Sequence, residues 1–191
     1  MVTTFPDMAI SQFQAFIKEV YFVPNERFYG SGEMVDNIQR FAMRGLKGIR
    51  KKDNEKTKNN LIVSLSWFMS LNNRLGIDIE KEIWERFPAV CSYCNSVPCA
   101  CSVKRPENRL KVDIDETKRP KTMRGLQEMF DKIYPSSSRT LEHAGVHLAE
   151  ELGEFSEAFW IFRASKSNID LDQFALESAD FLSCLLGVFN S

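Results

Sequence analysis

Two short acidic patterns in the last quarter of the chain are the residues best suited to chemistry. In His147-Leu-Ala-Glu-Glu-Leu-Gly-Glu-Phe155, Glu151 and Glu154 stand three apart and share one helix face, and Glu150 lies four before Glu154. Glu177 and Asp180 repeat the i, i+3 spacing in the next apolar-periodic segment. A polar turn at residues 163–170, with Ser167, Asn168 or Asp170 as a helix cap, joins the two segments as antiparallel helices and turns the acidic pairs toward each other. Unit charges about 4 Å apart repel by about 4 kcal/mol at an effective dielectric near 20, so four carboxylates held together at partial burial call for a cation. Hard oxygen ligands suit Mg²⁺ or Mn²⁺ rather than Zn²⁺. Periodicity alone leaves a second reading open, in which these are solvated acids on the polar faces of amphipathic helices. A di-iron bundle would need Glu-x-x-His on two helices. The chain offers only the reversed order His147-x-x-Glu150, and its last helix has no His.

The second chemical constellation is Cys91-x-x-Cys94-x4-Cys99-x-Cys101, a short loop that also holds Pro98. Four soft ligands at this spacing suit a closed tetrahedral Zn²⁺ site, with reduced buried thiols or a redox pair as the alternatives. Lys104, Arg105 and Arg109 follow the loop, but aromatic interleaving is thin, so a nucleic-acid interface is not expected. Cys184 falls on an apolar helix face and reads as a small core residue.

These groups need a scaffold, and the apolar spacing says it is helical. Phe13, Phe16, Ile17 and Val20 form one stripe, and Leu61, Leu65, Phe68, Met69 and Leu75 a second. Leu141, Ala144, Leu148, Leu152, Phe155, Phe159 and Phe162 form the longest, and Phe174, Ser178, Phe181, Leu182, Leu185 and Phe189 the last. The fold class is an all-α helical bundle with a small zinc-binding loop. Residues 109–114 alone hint at a strand, inside a charged connector over residues 104–122. With 15 Phe and 3 Trp in 191 residues, core-forming material is plentiful. A net charge of −1 provides no global field to attract nucleic acid or an anionic membrane. No secretory signal or membrane span is visible, and clustered thiols fit a reducing compartment, so a cytoplasmic location is expected.

An internal repeat organises the helices. Residues 13–21 pair with residues 126–134, residues 60–67 with residues 177–184, and Asn73 with Asn190. The chain then reads as a first helical unit over residues 1–103 that ends in the cysteine loop, the connector at 104–122, and a second unit over 123–191. The second unit stops one residue after Asn190, where the first continues into another segment, so we expect its C-terminus to be truncated.

The set Glu150, Glu151, Glu154, then Glu177 and Asp180 resembles the MazG-like branch of the all-α NTP pyrophosphatases, most strongly over residues 147–190. The first unit also resembles a family member. The resemblance implies Mg²⁺-dependent hydrolysis of an NTP or dNTP to the monophosphate and pyrophosphate. Glu151, Glu154, Glu177 and Asp180 are then the Mg²⁺ ligands, with Glu150 as a further acid able to take the proton of the attacking water. Arg163 and Lys166 are candidates for the phosphate tail, or else helix-end cations, and Trp160 and Phe159 for base stacking, or else core. His143 and His147, one turn apart, are candidate auxiliary ligands. Aligned on the repeat, Asn37, Arg40, Asn60 and Val63 replace the four acids, so the first unit is expected to be a non-catalytic copy. The family buries its helices in dimers, so two fused units imply a pseudo-dimer, and exposed helix faces imply a homo-oligomer. Two other classes stay open: a nucleotide-binding or interaction module with weak turnover, and a zinc-bearing nucleic-acid adaptor.

Overall fold

Apolar residues at three- and four-residue spacing fold into seven α-helices in the computed structural model, which describes residues 7–191. They are α1 (Ile10–Phe28), α2 (Ser31–Arg50), α3 (Asn54–Leu75), α4 (Ile79–Arg86), α5 (Met123–Ile133), α6 (Leu141–Ser165) and α7 (Asn168–Asn190). The all-α expectation holds among the described residues, and none of these helices is long and apolar enough to cross a membrane.

Capping residues set the ends. Asp53, Asp78, Thr122, Thr140 and Ser167 each accept a backbone N–H of the helix they precede. Helix α3 closes on Gly76 at φ 72°, a left-handed position that a Cβ would disfavour. Three residues on, α4 begins.

Helices α2 and α3 form one antiparallel hairpin and α6 and α7 another. The first is tight because glycines face its partner: a Cβ at Gly48 would lie 2.8 Å from the Thr57 backbone nitrogen. Helix α2 crosses α6 in the antiparallel sense. Gly32 lies against Trp160, the Gln39 amide donates to Ser156 Oγ at 2.8 Å, and Gly145 faces Leu46 and Ile49. Helix α1 lies on α3 and α5 on α7. One hydrogen bond recurs at two positions that the sequence comparison pairs. Asn73 Nδ2 donates to the Gln14 carbonyl at 2.9 Å, and Asn190 Nδ2 donates to the Gln127 carbonyl at 2.9 Å.

The core runs between the hairpins. Phe155 and Phe159 of α6 meet Phe174 and Phe181 of α7 at centroid separations of 5.0 to 5.7 Å, and Phe68 of α3 closes the cluster. Each of these rings is essentially fully buried, and such burial contributes roughly 1.5–3 kcal/mol per side chain.

Two local expectations are corrected. Residues 109–114 form no strand; they run as a loop whose Leu110 N–H donates to the Tyr93 carbonyl at 3.4 Å. Its alternating Leu110 and Ile114 stay exposed, and its backbone bonds go to the cysteine loop rather than to a partner strand. Val20 is exposed, because the inward face of α1 is carried by Ile10, Gln14 and Ile17.

Candidate functional site

The α6–α7 hairpin sets the acidic group. Lys166 caps α6 in the left-handed conformation, with its N–H on the Phe162 carbonyl at 2.7 Å. Ser167 then accepts the Asp170 N–H at 3.1 Å and starts α7. The turn is so short that the two helices must run back along each other. Glu151 lies one turn before Phe155, and Glu177 one turn before Phe181, so both carboxylates sit at the edge of the aromatic core.

Ligand atoms of Glu151, Glu177 and Asp180 all lie within 4.8 Å of one another. On one octahedral Mg²⁺ two oxygens are about 2.9 Å apart when adjacent and about 4.2 Å when opposite, so side-chain rotations that draw the three together would bring these carboxylates onto one ion. Glu151 Oε2 is buried with no hydrogen-bond partner. An unpaired buried carboxylate oxygen is costly, and a hard cation is one remedy. Burial, then the charges of Asp180, Glu154 and Glu177, push the Glu151 carboxyl up to about 7. Burial and Asp180 also raise Glu177, whose Oε1 accepts from Gln173 at 2.6 Å. Glu154 is exposed and outside the three-residue group, although its charge is felt by both Glu151 and Glu177. Glu150 is exposed and pairs with His147 Nδ1 at 3.2 Å. The His143 and His147 rings touch each other on the exposed side of α6, apart from the three carboxylates.

Two arginines complete the site, and neither was expected there. Arg86, the last residue of α4, grips the Asp180 carboxylate through Nε at 2.9 and 3.1 Å and through Nη2. Arg109 from the connector reaches Asp180 Oδ2 at 3.5 Å. The Arg86–Asp180 pair is nearly buried, with side chains 12% and 10% exposed. Desolvation works against the Arg86 charge, but the hydrogen bond and charge of Asp180, with Glu177 and Glu151 behind it, outweigh that and raise its pKa. In sequence Arg86 looks like an ordinary helix-end cation. No local pattern in the sequence singles it out.

No family model, curated protein or solved structure matches this chain.

Arg163, Lys166 and Trp160 lie elsewhere. Twelve residues of helix separate Arg163 from Glu151, about 18 Å along the axis. Arg163 stacks over the Trp160 ring at 5.0 Å, and both pack against Gly32 of α2. Arg163 and Lys166 instead line a separate cavity of about 500 Å³ with Ser31, Leu75, Phe162 and Leu171.

The four loop cysteines converge as well. Cys91 and Cys101 sulfurs are 3.7 Å apart and those of Cys94 and Cys99 3.9 Å, and the ligand atoms of all four lie within 4.8 Å of one another. The group could hold a metal such as zinc. Burial alone would raise the Cys94 thiol, but backbone donors from Ala100 and Ser96 outweigh it and bring it down to about 6. Burial pushes Cys99 up to about 11 and raises Cys101 too, so the metal-free cluster resists full ionisation. Cys184 packs against the core, as expected.

Proposed function

We propose that the acidic group holds Mg²⁺, or Mn²⁺, and that the chain hydrolyses a nucleoside triphosphate, NTP or dNTP, to the monophosphate and pyrophosphate. The observation that carries this reading is the orphaned, buried Glu151 Oε2 among converging carboxylates. A bound cation would supply Lewis-acid activation of water and of the phosphate oxygens. Glu151, Glu177 and Asp180 would hold it, and the charge of Glu154 adds to the negative potential there. Arg86 and Arg109 bring the positive charge that a triphosphate needs. The aromatic core behind the carboxylates excludes water from one side. The resemblance to the MazG-like enzymes supports the same assignment through the two acidic pairs.

The repeat supports a pseudo-dimeric arrangement in which the first unit has lost its acids. Asn37, Arg40, Asn60 and Val63 stand at the corresponding positions, and Arg40 donates to Asn37 instead of meeting a carboxylate. The recurring Asn–Gln hydrogen bond and the antiparallel α2–α6 crossing support it too. Exposed Phe22, Val23 and Phe28 on α1 favour association of copies of this chain.

Engagement of Asp180 by two arginines favours a second reading, a nucleotide-binding module that does not turn over. A pyrophosphate-release assay over a panel of NTPs and dNTPs with Mg²⁺ separates the two. The enzyme reading expects release from at least one nucleotide, lost in Glu177→Gln and Asp180→Asn. Nucleotide binding with no release from any of them would leave only the module.

A further inference from the structure

We propose that Cys91, Cys94, Cys99 and Cys101 bind one Zn²⁺, and that this ion is the clamp that holds Arg109 at the carboxylate group. The proposal stands apart from any catalytic activity, since it concerns what fixes a side chain beside Asp180.

The first half rests on sulfur geometry. Four thiolates about 2.3 Å from a tetrahedral Zn²⁺ are about 3.8 Å from one another. The Cys91–Cys101 and Cys94–Cys99 separations of 3.7 and 3.9 Å match that edge. Backbone donors surround the sulfurs as they do around thiolate sites. The Ala100 N–H points to Cys94 Sγ at 3.4 Å and the Cys101 N–H to Cys99 Sγ at 3.5 Å, while the Tyr134 hydroxyl donates to Cys91 Sγ at 3.5 Å. No two sulfurs are bonded. Four thiolates and one Zn²⁺ carry a net charge of −2, and protons held by the thiols leave on binding.

The second half rests on connectivity. The loop lies between Arg86 and Arg109 in the chain, and both arginines end on Asp180. One side of the loop is anchored on α5: the Cys99 N–H donates to the Ile133 carbonyl at 2.7 Å, and Phe87 packs edge-on against Phe130 at 5.2 Å. Its other side holds the connector. Tyr93 accepts the Leu110 N–H on its carbonyl, donates its hydroxyl to the Glu107 carbonyl at 3.3 Å, and lies under Arg105 and Arg109 at 4.5 and 5.6 Å. Asn95 Nδ2 donates to the Lys111 carbonyl at 3.3 Å. Tyr93 and Asn95 flank Cys94 directly. Release of the ligand at Cys94 therefore frees the residues that hold Arg109 in place. The loop itself has no regular secondary structure to do that holding.

The test uses the full chain. Metal analysis of the purified protein should give one zinc per chain, and Co²⁺ exchange should give the visible bands of tetrahedral thiolate coordination. Both should be lost in Cys94→Ser. Zinc is then stripped from the wild type with a chelator under reducing conditions and restored with Zn²⁺, which avoids dependence on a variant that fails to fold. Amide hydrogen exchange is followed in both states. Protection at the Lys104 and Leu110 amides, whose N–H groups are bonded to Ala100 and Tyr93, should fall about tenfold or more on stripping and return on reloading, while α2 and α3 stay unchanged. Absence of zinc and of the Co²⁺ bands overturns the site. Zinc binding with unchanged exchange at these two amides overturns the clamp.

Discussion

Arg86 at the end of α4 and Asp180 in the middle of α7 lie 94 residues apart and meet in a two-pronged, nearly buried ion pair. Removing one partner of such a pair strands the other charge, which typically costs about 3–5 kcal/mol. In the metal-free chain Arg86→Gln should therefore lower the melting temperature by roughly 10 °C. If the carboxylates accept a divalent cation, added Mg²⁺ should restore more stability to this variant than it adds to the wild type. Thermal melts of both proteins with and without Mg²⁺ measure the difference. An Arg86→Gln variant indifferent to Mg²⁺ and Mn²⁺ would count against a cation at Asp180.

Glu151 gives a pH signature. Its folded pKa is raised from 4.5 to about 7 by burial and then by its acidic neighbours, so the folded chain holds that proton more tightly than the unfolded chain. Stability must then fall as pH rises from about 4.5 through about 7, and the penalty is fully present above that window. Glu151→Gln removes the titration. The metal-free variant should match the wild type near pH 4.5 and exceed it at pH 8, by about 1–2 kcal/mol once solvent screening of the half-buried group is allowed for. Denaturant titrations at the two pH values read this directly. A variant less stable than the wild type at pH 8 would contradict the assigned strain.

Much of this arrangement was legible in the residues, and what was not has a common cause. Leu61, Leu65, Phe68 and Met69, and the long stripes of α6 and α7, carry their burial in their spacing. The same spacing placed Glu177 and Asp180 on one face. Arg86 and Arg109 reach Asp180 from 94 and 71 residues away, and no local pattern encodes such a meeting. Arg163 shows the opposite relation between sequence and space. It follows the acidic helix in sequence, but a helix is a straight rod, so nearness along the chain became about 18 Å of distance. The cysteine spacing gave the ligand set but could not say that Tyr93 and Asn95 tie the loop to the connector.

The α2–α3 hairpin supplies a test of the scaffold alone. A Cβ at Gly48 would meet the Thr57 nitrogen at 2.8 Å and its Cα at 3.0 Å, and backbone cannot swing aside as a side chain can. Alanine favours helix over glycine by about 1 kcal/mol, so in an open position Gly48→Ala would stabilise. Here overpacking should win, at about 1–3 kcal/mol. Gly153→Ala, where nothing lies within 4 Å of the added carbon, is the matched control and should gain stability. Equal melting temperatures for the two variants would mean that the hairpin is looser than these distances.

The two candidate anion partners predict opposite results for two single substitutions. Arg109 is 42% exposed, rests on Tyr93, and reaches the Asp180 carboxylate at 3.5 Å, so little of the fold depends on it. Arg163 is wedged with Trp160 against Gly32, where α6 crosses α2. If a triphosphate binds at the carboxylates, Arg109→Ala should weaken nucleotide binding about tenfold, the worth of one charge-assisted contact near 1.4 kcal/mol, with the melting temperature nearly unchanged. Arg163→Ala should do the reverse, lowering stability by about 1 kcal/mol through lost packing while leaving nucleotide affinity intact. Calorimetric titration of a Mg²⁺–nucleotide into each variant, beside its thermal melt, separates the roles. Loss of affinity in Arg163→Ala with none in Arg109→Ala would move the ligand to the cavity beside Lys166 and away from Glu151, Glu177 and Asp180.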